Sequence, residues 1–155
     1  MFTEMRRKNQ ELTLQENIEI LNKGTSGVLA CVGEDDYSYA VPLSYVYHDS
    51  KLYFHCAKTG HKLDAIKHNN KVSFCVIDKD QVVPEEYTTY FRSVIIFGKA
   101  RVLEDDEKRE SLEILAKKYS PNQEIQAEVD KFMKVVVMVE IDIEHISGKQ
   151  AKELV

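Results

Sequence analysis

The spacing of hydrophobic residues changes character after residue 24. Before it, Leu14, Ile18 and Leu21 recur at i, i+4 and i+7, the pattern of one buried helix face. Thr13-Leu14-Gln15-Glu16 has the form of a capping box, and Asn22-Lys23-Gly24 closes the segment with a cation and a terminal glycine. The spacing predicts a helix over 13–23, preceded by an arm over 1–11. After Gly24 the pattern is that of strands. Residues 26–32 are short and apolar, 33–36 form a turn, 37–47 are rich in aromatic and β-branched residues, 48–50 form a second turn and 51–56 a third strand. Such closely connected strands read as an antiparallel meander. Pro42 inside the second one predicts an edge or a bulge there, with backbone free for a ligand.

A short helix is expected over 60–68, with Leu63 and Ile66 on one face, then a fourth strand over 71–77 and a polar loop over 78–86. Residues 87–103 form a long β-rich run in which Gly98 predicts a bend or bulge. Acids at 105–107 and lysines at 117–118 suit the two ends of a helix over 105–119, striped by Leu112, Leu115, Ala116 and Tyr119. Ser120-Pro121-Asn122 breaks it, a second short helix fits 122–131, and Val139, Ile141 and Ile143 alternate in a last strand over 135–143. Residues 144–155 read as a polar tail. Six strands with peripheral helices point to a mainly β, six-stranded antiparallel barrel, a single domain over 1–155.

The net charge of −5 and the absence of a long basic run leave little for nucleic acid to bind. No apolar run approaches the ~20 residues of a membrane span, and residues 1–5 lack a signal-peptide core, so a cytoplasmic protein without membrane partners is expected. Cys31, Cys56 and Cys75 are far apart in apolar segments, which reads as buried free thiols and not as a disulfide framework or a metal site.

The stretch Tyr53 to Leu63 carries the most chemistry. A strand breaks on Gly60 into a helix N-terminus flanked by Lys58, His61 and Lys62. Free N–H groups, the helix dipole and nearby cations suit a phosphate, although the lysines also read as solvated charges at a junction. His55 leads into this point and is either a proton donor beside a ligand or a half-buried strand histidine. In the apolar run around Arg92-Ser93, Arg92 fits the solvent face with its stem over the sheet, which turns Ser93 inward and leaves room beside it. No G-x-S-x-G elbow, P-loop or G-x-G-x-x-G is present.

Taken in order, Met5 to Lys8, Val41 to Tyr47, Tyr53 to Ala57 with Gly60 to Asp64, Lys71 to Phe74 and Phe91 to Ala100 resemble the pyridoxamine 5′-phosphate oxidase-like superfamily of flavin-binding split barrels. The likeness is strongest to its 5-nitroimidazole-resistance branch and covers roughly residues 5 to 120. It implies a six-stranded split barrel and a homodimer with FMN at the interface, FAD being the larger alternative. It also implies that Val41, Pro42, Leu43 and Ser44 face the isoalloxazine edge through their backbone. His55, Cys56 and Ala57 end the strand lining the flavin, and Ser93 is a polar flavin contact. His61 and Lys62 stand where the oxidases carry an Arg-Lys phosphate clamp; Lys62 matches and His61 departs, offering one donor where arginine offers a fork. His55 matches a histidine on the substrate side and is the candidate catalytic residue. Residues 144–155 hold neither the Trp nor the Arg by which pyridoxamine oxidases take their substrate. The expected function is therefore an FMN-binding oxidoreductase that reduces a nitro group or another small molecule. The alternatives are a flavin- or haem-binding carrier or sensor without turnover, and a split-barrel dimer that has lost its ligand.

Overall fold

In the computed structural model, which describes residues 1–155, Thr13 and Glu16 form the reciprocal capping box, and α1 follows over Leu14–Lys23. Then come β1 (Gly27–Val32), β2 (Ser38–Leu43), β3 (Val46–His48), β4 (Lys51–Ala57) and α2 (His61–His68). The second half contains β5 (Lys71–Val83), β6 (Thr88–Leu103), α3 (Asp105–Tyr119), α4 (Gln126–Val135) and β7 (Val136–Gln150). All seven strands form one sheet in the order β2-β1-β5-β6-β7-β4-β3, with every pairing antiparallel.

The seventh strand arises where the expected strand over 37–47 divides at Ser44-Tyr45 into β2 and β3. These two pieces lie at opposite ends of the strand order yet are joined by two residues. Three peptide units span at most ~11 Å, so the sheet must curl until its edges approach. No backbone ladder joins β2 to β3, and the sheet stays open along that seam. Tyr45 marks the break: its ring is buried and its hydroxyl donates to the Leu21 carbonyl of α1. Pro42 lies on an edge strand, as expected of a residue that cannot donate to a ladder.

Three further expectations are corrected. The polar stretch after Ile77 is not a loop, because β5 runs on to Val83 through a bulge at Asp78. The Asp78 carboxylate is shielded there, 2.7 Å from Lys23 Nζ and 3.7 Å from Arg92. Residues 144–150 are not a tail but the far half of β7, paired with β6 beyond a register shift at Phe97/Gly98. Gly98 sits at that bulge, where a Cβ would strike the Asp142 carbonyl. The second helix of the 105–135 region also lies later than its pattern suggested, at Gln126–Val135 in place of 122–131.

The core is divided. Alternate residues of the strands, including Leu29, Leu52, Phe54, Phe74, Ile96 and Ile141, pack with α1 and α2 inside the curl. A smaller cluster of Val46, Leu103, Leu112, Leu115, Ile125, Val129 and Met138 lies under α3 and α4 on the other face. Because side chains alternate along β4, Phe54 and Cys56 point into the main core while His55 is left on the α4 side.

Candidate functional site

The β4–α2 junction turns on Gly60, whose φ of 152° is a region that favours glycine and whose missing Cβ leaves open space. Gly60 has no side chain to cap α2, so the first N–H groups of the helix, those of His61, Lys62 and Leu63, have no intrahelical acceptor. The His61 ring packs edge-on against Tyr39 of β2 at 4.4 Å between centroids, bringing the edge strand to the helix start. Lys62 is the cation of this junction. Burial lowers the pKa of His55, and the Lys62 charge lowers it further. Burial raises the Cys31 and Cys56 thiols, and the same charge opposes the rise. Lys58 exerts no comparable influence on these groups.

On the α4 side of β4, His55 and Ser44 line a cleft of about 570 Å³ beneath α3 and α4. Its walls are Leu112 and Leu115 from α3, Val129 and Phe132 from α4, and Ile125 just before α4. The Phe132 ring is 6.3 Å from the His55 ring. Tyr119 also lines the cleft, and its hydroxyl receives the Tyr45 N–H at 3.0 Å and lies within donating distance of the Thr25 and Tyr45 carbonyls. Lys118 beside it donates to the Gly24 and Tyr45 carbonyls and lies over the Tyr45 ring. Burial pulls its pKa down to about 8.

The ten expected contact positions do not all converge. Ser44 and His55 share the cleft, while His61, Lys62 and Ala57 stand at the adjoining junction. Val41 and Leu43 pack against the main core, Pro42 is exposed, and Cys56 is buried in that core. Ser93 corrects its expected direction. Val94, Ile96 and Ala100 are the β6 residues buried in the main core, and Arg92 shares their parity and reaches Glu16 of α1 at 2.9 Å. Ser93 faces the other way, into a separate cavity with Phe2, His145 and Lys149. His55 is in register with Met138 and Ser93 with Lys149, roughly 35 Å of strand apart at ~3.3 Å per residue. The sequence reading missed the α4 wall of the cleft, although Ile125, Val129, Phe132 and Met133 form an i, i+4, i+7, i+8 stripe that signals it.

The sequence pattern of the pyridoxamine 5′-phosphate oxidase family matches residues 13–150. The chain belongs to this family. Solved structures share its fold. A candidate 5-nitroimidazole antibiotic resistance protein from Bacteroides thetaiotaomicron is 22% identical, with 90% of this chain and 86% of that one covered and a TM-score of 0.79. An FAD-binding protein from Mesorhizobium loti is 26% identical over 92% and 97% of the two chains, with a TM-score of 0.67. An FAD and haem binding protein from Mycobacterium smegmatis is 22% identical over 92% and 74%, with a TM-score of 0.78. Comparison with curated proteins gave no match. No helix is long and apolar enough to cross a membrane.

Within the pyridoxamine 5′-phosphate oxidase family frame, the residues present suit a flavin nucleotide. The uncapped α2 start with Lys62 has the donors and charge for a phosphate, and the neighbouring cleft has apolar walls for a flat ring.

Proposed function

We propose that this chain binds FMN, with FAD as the larger alternative, and is an oxidoreductase acting on a small acceptor, a nitro compound among them. The observation that carries the reading is the β4–α2 junction. One strand presents His55 to an apolar cleft and then turns, through a glycine with open space beside it, into an uncapped helix start bearing Lys62. Lys62 and the N–H groups of residues 61–63 hold the phosphate, and His61 adds one hydrogen bond while its ring is braced by Tyr39. Backbone groups of Val41 to Ser44, on an edge strand, are available to the polar rim of the ring. His55, held neutral by its surroundings, donates or accepts a hydrogen bond at the substrate. Bound flavin supplies the electrons, and the protein supplies position and electrostatics. Ser93 opens into a cavity separate from the His55 cleft, so in the homodimer reading it reaches the ring from a second copy.

The absorption spectrum of the purified protein is the first test. A flavin spectrum is expected; a Soret band would favour a haem carrier, and a colourless protein that refuses added FMN would overturn the reading. Bleaching by a reduced nicotinamide and recovery on adding a nitro compound would distinguish turnover from simple carriage. Lys62→Ala is expected to weaken FMN binding about tenfold or more, the worth of one charge-assisted phosphate contact, and Lys58→Ala to leave it nearly unchanged. Equal losses in a titration would remove Lys62 from the phosphate site.

A further inference from the structure

We propose that Lys118 is a positioning residue: its ammonium ties the β1–β2 end of the sheet to β3 and fixes the Ser44–Tyr45 peptide beside the cleft. That this peptide then orients a flavin ring rests on the reading above; the tie itself rests on this chain's own residues. The need for it follows from the topology. β2 and β3 are the two edges of the sheet, only Ser44 and Tyr45 join them, and no ladder closes the seam. Something other than strand pairing must therefore hold the two edges at a fixed spacing.

Lys118, in the last turn of α3, supplies that hold. Its Nζ donates to the Gly24 carbonyl at 2.5 Å and to the Tyr45 carbonyl at 2.9 Å. Gly24 leads into β1, which pairs with β2, and the Tyr45 carbonyl belongs to the peptide that enters β3. The same Nζ lies 3.9 Å from the centre of the Tyr45 ring and 5.4 Å from that of Tyr119. Gly24 keeps the approach close, since a Cβ there would lie 2.5 Å from the Tyr45 hydroxyl. The Tyr119 hydroxyl takes the Tyr45 N–H, so in this trans peptide the Ser44 carbonyl points the opposite way. Ser44 lines the cleft, and neither its N–H nor its C=O is used by the backbone of the chain. These two free groups are thus held in one orientation.

The charge matters as much as the position. Burial pulls the Lys118 pKa down to about 8, and no carboxylate opposes the fall, Glu124 and Glu128 of the cleft included. The titratable groups facing the ammonium are the phenols of Tyr45 and Tyr119, and α1 presents only the Gly24 carbonyl. Burial pushes the Tyr45 phenol well above its ordinary range, so the ammonium is the group of this pair that changes charge near pH 8. A charged donor makes hydrogen bonds roughly twice as strong as a neutral one, so loss of the proton loosens both contacts.

The test follows the carbonyl carbon resonances of Gly24 and Tyr45 in an NMR pH series on the purified protein. FMN affinity is read over the same range by quenching of flavin fluorescence. Both resonances are expected to move together with a midpoint near pH 8, and Lys118→Met is expected to abolish that step. FMN affinity is expected to fall about fivefold to tenfold between about pH 7 and about 9.5, the worth of the charged over the neutral bonds. Lys118→Met should bind FMN weakly and without that fall. Lys117→Met, which changes an exposed lysine of the same turn, should behave as the wild type. Absence of a shared step, a step that survives in Lys118→Met, or FMN affinity indifferent to both pH and Lys118→Met would overturn the proposal. The wild-type series needs no variant, so it tests the tie even if the methionine prevents folding. A shared step in a protein that refuses FMN would leave the tie standing and remove the flavin reading. A protein that binds FMN without such a step would do the reverse.

Discussion

His55 lies in the cleft lining, on the strand that runs into the β4–α2 junction. Burial lowers its pKa below the ordinary 6.5, and the Lys62 charge adds to the effect. Its imidazole resonance is therefore expected to titrate below 6.5 in an NMR pH series, and Lys62→Ala is expected to move the midpoint upward. An unmoved midpoint would show that Lys62 does not act on the floor of the cleft. The linkage has a definite sign. The unfolded chain binds the His55 proton more tightly, so the stability linked to this residue is present above about 6.5 and is lost as pH falls from there through the folded value. Position at this scale was legible in the sequence where residue type alone carried it: His55 on a strand after two aromatics, Lys62 at a helix start. The direction of Ser93 was not legible. In Val94-Ile95-Ile96-Phe97 both parities are apolar, so alternation cannot say which face is inside, and the charge of Arg92 suggested the wrong one. The ion pair with Glu16 accounts for that charge within the fold.

At the scale of elements, α3 is pinned to the β2–β3 break by its last turn. Tyr119 receives the Tyr45 N–H, and both Tyr119 and Lys118 lie within donating distance of the Tyr45 carbonyl. Tyr119→Phe removes the acceptor of that N–H and is expected to cost about 1–3 kcal/mol in urea denaturation. It should also raise ligand dissociation from the cleft, because α3 supplies one of its walls; a change under 0.5 kcal/mol would make the anchor incidental. α1, α2 and α3 were legible because each carries an apolar stripe with an end signal beside it, whereas the bounds of α4 were not. The ends of β5 and β7 were not. Asp78 to Gln81 and Glu144 to Gln150 carry too many polar residues to show a buried face, and these segments are strands because β6 gives them a ladder to complete. The α4 wall was missed for a related reason: its stripe was visible, but nothing local told what it would cover.

For the whole molecule, the apolar character of both faces of β6 is the main unbalanced feature. Val94, Ile96 and Ala100 are buried in the core, whereas Ile95 and Phe97 remain 44% and 41% exposed on the opposite face. In that same outward parity, Ile77 of β5 is opposite Ser93 in register and is exposed as well, and Phe2 from the N-terminal arm stacks on Phe97 and His145. A sheet face this apolar, beside the cavity that Ser93 lines, is the surface the proposed homodimer would cover. Ile95→Glu is expected to leave secondary structure intact by circular dichroism, since the residue already touches solvent. It should shift the protein to a monomer in light scattering at micromolar concentration, because a carboxylate buried without a partner at a two-fold contact occurs twice. FMN content should fall with the dimer if the ring is shared between copies. A monomeric wild-type protein that retains flavin would place the whole site within one chain. A dimer indifferent to Ile95→Glu would move the interface off β6, and Ser93 would then have no route to the ligand.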